Sequence, residues 1–339
     1  MRELYRRIRE IDPNEENRIL TILTGPSAGG KVLVTGAHIV WSSGPDLFPD
    51  LFPETLPEDL PACGIVSIGG GEVFCELLTR EKKLVVCGGG HVSVPVVQIG
   101  KMLGFHVTVL EDRKEFADRA SGAGADRTIL APFGEGLRQI RSDTDTYFVI
   151  VTRAHRHDAE CLRQILGMPR AYTGMMGSHR RTAIVKEMLA EEGIDRELLD
   201  SVHTPIGLEI GAETPEEIAV SILAEIIEVK NRTGRNTGFP DPLLDAILGT
   251  PGILATIVRK RGAAPRQPGT RMLVLPDGKG VGTVGGGYAE ALIISAALDM
   301  GAGEEQFRIV HIDLSSDTAG EEGMVCGGTL DVMLERTGA

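Results

Sequence analysis

The stretch Val85-Val86-Cys87-Gly88-Gly89-Gly90-His91-Val92-Ser93 constrains the fold more than any other part of this chain. A short apolar run enters a glycine turn and leaves as a helix. Gly88 permits the tight turn, and Gly90 lets the backbone approach a phosphate at the helix N-terminus, beside His91. Ser93 stands where a third glycine is common. A second apolar run ends in Leu110-Glu111-Asp112-Arg113, which places Glu111 roughly 20 residues after the turn, where a ribose-binding carboxylate belongs. Strand, turn, helix, strand and acid together predict a Rossmann-type unit. Two outcomes stay open for it: a nucleotide site, or a domain of this shape that binds no dinucleotide.

The alternation continues along the chain. Strand signals at Leu84–Cys87, His106–Leu110, Arg127–Leu130, Tyr147–Val151 and Ala171–Thr173 are separated by helix-like stretches such as Ser93–Leu103, Asp158–Leu166 and Arg180–Glu192. This pattern predicts βαβ units and a parallel sheet over residues 83–232. A helix from Pro215 to about Lys230 closes the segment. Thr214 is its N-cap, Pro215 its first residue, and Glu217 completes a capping box. In an open parallel sheet the carboxyl ends of the strands form the ligand crevice. Thr152, Arg153 and His155 follow one strand, and Gly177, Ser178, Arg180 and Arg181 follow another, so both groups fall on that edge. The competing structural readings are Asp158 as a simple helix cap and Arg180 and Arg181 as solvated charges.

The two ends of the chain read differently. Residues 1–82 form an α+β segment, with a helix-like start and apolar runs at Ile19–Leu23, Lys31–Thr35 and His38–Trp41. A proline ladder follows at Pro45, Pro49, Pro53, Pro57 and Pro61. It rules out a continuous helix and reads as an extended connector. Residues 240–339 carry strand signals at Ile253–Arg259, Arg271–Leu275, Gly280–Val284, Phe307–Ile312 and Leu330–Leu334, with a helix from Tyr288 to Met300. RILTILTGPSAGGKVLVTG near residue 18 parallels GILATIVRKRGAAPRQPGTRMLVLPDG near residue 252, and GGGEVFCELL parallels CGGTLDVMLE, so the first segment reads as a shortened repeat of the last. Gly285, Gly286 and Gly287 form a second strand-to-helix glycine turn, an anion cradle with Arg266 and Arg271 as charge partners. Cys326, beside two glycines, is either an accessible thiol able to bind a soft metal or relay sulfur, or a buried small hydrophobe.

Composition narrows the class. The 43 glycines among 339 residues are nearly twice the usual share of roughly 7% and show no collagen period. A net charge of −13 disfavours a nucleic-acid partner. There is no apolar run of the roughly 20 residues a membrane span needs. The five cysteines are scattered without a C-x-x-C pair, and the N-terminus lacks an apolar signal region, so the expectation is a reduced, cytoplasmic protein.

Together these stretches resemble the XdhC/CoxI family, which serves xanthine dehydrogenase and related molybdenum hydroxylases. LVVCGGGHVSVPVVQIGKMLGFHVTVLEDRKEFA, VIVTRAHRHDAECL, YTGMMGSHRR and HTPIGLEIGAETPEEIAVSILAEII carry the Rossmann-domain likeness. GAAPRQPGTRMLVLPDG, VGTVGGGYAE and MVCGGTLDVMLE carry that of the smaller CoxI-type domain. The resemblance implies an α/β fold: a Rossmann-like parallel-sheet domain plus a mixed α+β CoxI-type domain. It implies an accessory factor rather than a dehydrogenase. Such a factor binds the molybdenum cofactor, molybdopterin, helps it gain sulfur from a cysteine desulfurase, delivers it to the apo-hydroxylase, and forms a homodimer. The site residues so implied lie at Gly88, Gly90, His91, Glu111, Asp112, Arg113, Thr152, Arg153, His155, Gly177, Ser178, Arg180, Arg181, Arg266, Arg271 and Gly285–Gly287, with Cys326 toward the metal. Two features depart from the family pattern. The CoxI-type domain follows the Rossmann domain here, and Tyr288 stands where many members carry cysteine. The alternatives are an NAD(P)-dependent oxidoreductase, with His155 or His157 as proton donor, and a pure interaction scaffold.

Overall fold

A computed structural model of the chain describes residues 1–44, 60–79, 82–232, 238–263, 266–314 and 328–338. The chain divides into two compact units, Met1–Arg80 with Gly234–Ala339, and Glu81–Thr233.

The first unit opens with α1 (Arg2–Glu10), which buries Leu4, Tyr5 and Ile8 at helical spacing. Five strands follow: β1 (Asn17–Ile22), β2 (Lys31–Thr35), β3 (His38–Ser42), β4 (Cys63–Ile68) and β5 (Gly71–Leu77). They pair antiparallel in the order β3-β2-β1-β5-β4. The first three match the apolar runs read from sequence, whereas the β4–β5 hairpin was hidden by its glycines. Gly69 (φ 59°) and Gly70 (φ 80°) are the two turn residues between Ile68 and Gly71. Left-handed backbone at both positions is what a two-residue hairpin of this twist requires. The proline-ladder expectation lies outside the described residues for Pro45, Pro49, Pro53 and Pro57.

The second unit alternates β6 (Lys83–Cys87), α2 (Ser93–Met102), β7 (His106–Glu111), α3 (Lys114–Gly122), β8 (Arg127–Leu130), α4 (Phe133–Leu137), β9 (Thr146–Ile150), α5 (His155–Ile165), β10 (Tyr172–Met175), α6 (His179–Glu191), α7 (Arg196–Asp200) and α8 (Pro215–Arg232). Its strands are all parallel, in the order β10-β9-β6-β7-β8. Val85, Cys87, Phe148 and Ile150 pack on one face, and Leu84, Val86, Tyr147 and Val149 on the other. Burial on both faces is why these strands read as continuous apolar runs. The capping box forms as expected: Glu217 N donates to Thr214 Oγ1 (3.3 Å), and Thr214 N donates to Glu217 Oε2 (3.1 Å).

The chain then returns to the first unit with α9 (Asp241–Gly249), β11 (Ile253–Gly262), β12 (Arg271–Val274), β13 (Gly280–Gly282), α10 (Gly287–Ala302), β14 (Phe307–Asp313) and β15 (Gly328–Arg336). The sheet order is β13-β12-β11-β15-β14, again antiparallel. One face packs on Ala289, Ile293, Ala297 and Met300 of α10. The other shares a core with the N-terminal sheet, in which Ile19 and Leu33 meet Leu254 and Leu273. Among the described residues no helix is long and apolar enough to cross a membrane.

Candidate functional site

Strand order places a topological switch between β6 and β9, the point where open parallel sheets bind ligands. Gly88 at the end of β6 has φ 117°, and a Cβ there would lie 2.6 Å from the Val151 carbonyl oxygen. Ser93 Oγ donates to the Gly88 carbonyl at 2.6 Å and ties the first turn of α2 to the strand end. Gly88 and Ser93 are therefore required by the turn itself. Gly90 is different, since a Cβ there would meet nothing within 4 Å. The fold leaves that position open, and His91 beside it is exposed.

Glu111 ends β7, as the motif spacing requires, but its carboxylate is already engaged. Oε2 accepts from Gly89 N (2.7 Å), and Oε1 accepts from Arg113 Nε (2.9 Å) and from the amides of Asp112 and Arg113 (3.2 Å each). Glu111 is 1% exposed. A ribose diol would have to displace Arg113 to reach it. Asp112 pairs bidentately with Arg153, at 2.5 and 2.9 Å. The Arg153 bonds outweigh partial burial and hold the Asp112 carboxyl well below the usual carboxylate range. A depressed folded pKa means that this contribution is present above the unfolded carboxyl value near pH 4 and is lost as pH falls below it. Arg153 is partly exposed, so screening limits the pair to about 1 kcal/mol. Arg153→Met is expected to remove that much of the stability at pH 7 and to flatten the loss as pH falls from about 5 toward 2. Urea midpoints measured across that range check it, and an unchanged acid slope contradicts it.

The expected residues of β9 and β10 do converge. His155, Ser178, Arg180, Arg181 and Ile184 line a cavity of about 260 Å³. Ser178 caps α6, accepting from Arg181 N at 3.3 Å. Beneath the cavity lies a residue that the sequence presented as a simple helix cap. Asp158 is not the cap of α5, because that position belongs to Ala154. Asp158 is fully buried, accepts from Thr152 Oγ1 at 2.5 Å, and takes a short ion pair from Arg181. Burial raises its pKa, although both partners pull the other way. Arg181 Nε is itself buried without a hydrogen-bond partner. Gly177 brings its backbone against Arg181, where a Cβ would lie 3.3 Å from Cδ.

The second glycine turn lies in the first unit. Gly285 (φ 74°) and Gly286 (φ 82°) lead into α10. Arg266 lies against Gly285, 2.8 Å from where a Cβ would sit. The amides of Val284 and Gly285 donate to Glu290 Oε1 (3.2 and 3.1 Å), which also accepts a hydrogen bond from the Thr283 hydroxyl. A carboxylate of the chain itself thus occupies part of the expected anion cradle. Glu290, in the first turn of α10, reaches back over the helix start to these amides. Arg271 is elsewhere. Side chains alternate along β12, so Met272 and Val274 face α10, while Arg271 and Leu273 face the N-terminal sheet. There Arg271 is buried in an ion pair with Glu76 and lies over Phe239, 3.8 Å from the ring centroid. Cys326 lies outside the described residues. Burial raises the thiols of Cys63, to about 12, and of Cys75, and a side-chain hydrogen bond with Cys87, followed by burial, raises that of Cys161, so these three free cysteines are poor thiolates.

Residues 84–226 match the XdhC Rossmann domain, and residues 248–313 match the XdhC and CoxI family. Between them the two matches take in more than half of the chain, in the order Rossmann then CoxI-type. The chain belongs to the XdhC and CoxI family. Within curated proteins, this XdhC-type chain is 32% identical over 161 residues to the uncharacterized protein YqeB of Escherichia coli (strain K12), covering 47% of this chain and 29% of that protein. It is 29% identical over 161 residues to a probable xanthine dehydrogenase subunit of Bacillus subtilis (strain 168), covering 48% and 47% respectively. The matched part spans less than half the length of either relative. A crystal structure from Bacillus halodurans, described as a xanthine dehydrogenase, covers 68% of the XdhC-type chain and is covered over 63% of its own, at 20% identity and a TM-score of 0.48.

Proposed function

We propose that this chain is an accessory factor for a molybdenum hydroxylase, which holds the molybdenum cofactor while it is sulfurated and inserted. The observation that carries this reading is the cavity of His155, Ser178, Arg180 and Arg181 at the carboxyl edge of the parallel sheet. Its donors are a hydroxyl, the first amides of α6 and two guanidinium groups, a set suited to a phosphate monoester. The buried, unpartnered Nε of Arg181 fits an anion nearby, and the open space at Gly90 fits close approach of a ligand to backbone. The bound cofactor supplies the molybdenum and its dithiolene, and the protein supplies the phosphate clamp. Its partners in this reading are the apo-hydroxylase and a cysteine desulfurase. The nicotinamide reading is weaker, because Arg113 and the Gly89 amide already use the Glu111 carboxylate.

Reactivation of a cofactor-free hydroxylase tests the role. The full chain, supplied with cofactor and a desulfurase, is expected to restore activity. Arg180→Ala, which touches no buried partner, is expected to require about tenfold more cofactor for the same restoration. Equal reactivation with and without the chain would sink the proposal.

A further inference from the structure

The two sheets of the first unit are the same object built twice. Their strand orders, β3-β2-β1-β5-β4 and β13-β12-β11-β15-β14, correspond strand for strand. The registers around the central strands, β1 and β11, correspond residue for residue from Ile19 to Thr21 and from Leu254 to Thr256. Thr21 opposes Lys31 and Phe74, and Thr256 opposes Arg271 and Met333. Ile19 opposes Leu33 and Glu76, and Leu254 opposes Leu273 and Glu335. Each sheet is preceded by a helix with the same buried spacing, Leu4-Tyr5-Ile8 in α1 and Leu243-Leu244-Ile247 in α9.

The contacts between the sheets are reciprocal. Lys31 of the first copy meets Glu335 of the second, 2.8 Å from Nζ to Oε1. Arg271, the counterpart of Lys31, meets Glu76, the counterpart of Glu335. All four side chains are at least 96% buried. The apolar seam obeys the same rule, since Leu23 and Phe74 of one copy cluster with Val258 and Met333 of the other. Position i contacting j while j contacts i is the signature of a two-fold interface between identical partners.

We propose that the CoxI-type sheet carries a self-association surface, and that this chain fills it in cis with its own N-terminal copy. The partner this face fits is a second CoxI-type sheet. The two copies have diverged in one respect. The glycine triplet between β13 and β14 has no counterpart between β3 and β4, where residues 43–62 contain a single glycine. The pair is therefore a built-in dimer in which only the second copy carries the strand-to-helix glycine turn at Gly285–Gly287.

Self-complementarity is testable by charge reversal in the full chain. Lys31→Glu with Glu76→Lys puts like charges on both internal pairs, yet leaves each sheet complementary to a copy of itself on another chain. Lys31→Glu with Arg271→Glu, and its mirror Glu76→Lys with Glu335→Lys, also put like charges on both internal pairs, and are repulsive in every arrangement. The first variant is expected to stay soluble and to unfold cooperatively, with a midpoint that rises with protein concentration as sheets pair between chains. The other two are expected to lose the cooperative transition. Reversal of all four positions restores the internal pairs and is expected to behave as the wild type. If the first variant is as damaged as the other two, or if all three stay folded alike, the face is not self-complementary and the proposal fails.

Discussion

Arg271→Met is expected to cost about 3–5 kcal/mol. Methionine keeps the packing over Phe239 but leaves Glu76 ionisable, buried and without its cation. Burial already pushes the Glu76 carboxyl up, and the Arg271 charge is the main influence holding it down. Adding Glu76→Leu removes the stranded charge, so the double variant is expected to recover most of the loss. Apolar replacement of a whole buried pair is often neutral or stabilising. Urea unfolding of the three proteins checks this. A single variant within about 1 kcal/mol of the wild type contradicts the assignment of Arg271 to a buried pair.

Arg181→Met is expected to strike twice. It strands Asp158, which is fully buried and keeps only Thr152 as a partner, at about 3 kcal/mol or more in stability. It also removes a guanidinium from the cavity. Asp158→Asn in the same protein is expected to restore most of the stability, because an amide carries no charge to strand, and none of the cofactor affinity. Thermal melts read the first effect and cofactor titration the second. Recovery of both together would place Arg181 in a structural role alone.

The legible parts of this fold are those written in local pattern. Continuous apolar runs marked the parallel strands because both sheet faces are buried, and Gly88 and the Thr214–Glu217 box marked turns and caps set by a few adjacent residues. What sequence hid was direction and distant pairing. Arg271 looked like a partner of the glycine turn, but strand alternation turns it to the opposite face, and that face is known only once β12 is in register with β11. Glu290 was passed over because its donors are backbone amides, which leave no mark on side-chain pattern. Asp158 was visible as an acid near a helix start, but not as the buried seat of Arg181, which comes from a different helix. The correspondence of β1–β5 with β11–β15 was faintly audible in the repeat; the reciprocal ion pairs were not, because their members lie hundreds of residues apart.

The most direct measurement is anaerobic gel filtration of the full chain with isolated molybdenum cofactor, followed by molybdenum and pterin analysis of the protein peak. Wild-type chain is expected to retain both at micromolar concentration, and Arg180→Ala to weaken retention about tenfold, with inorganic phosphate competing. Absence of molybdenum and pterin from the wild-type peak, or retention indifferent to both phosphate and Arg180, would contradict a phosphate clamp at this edge.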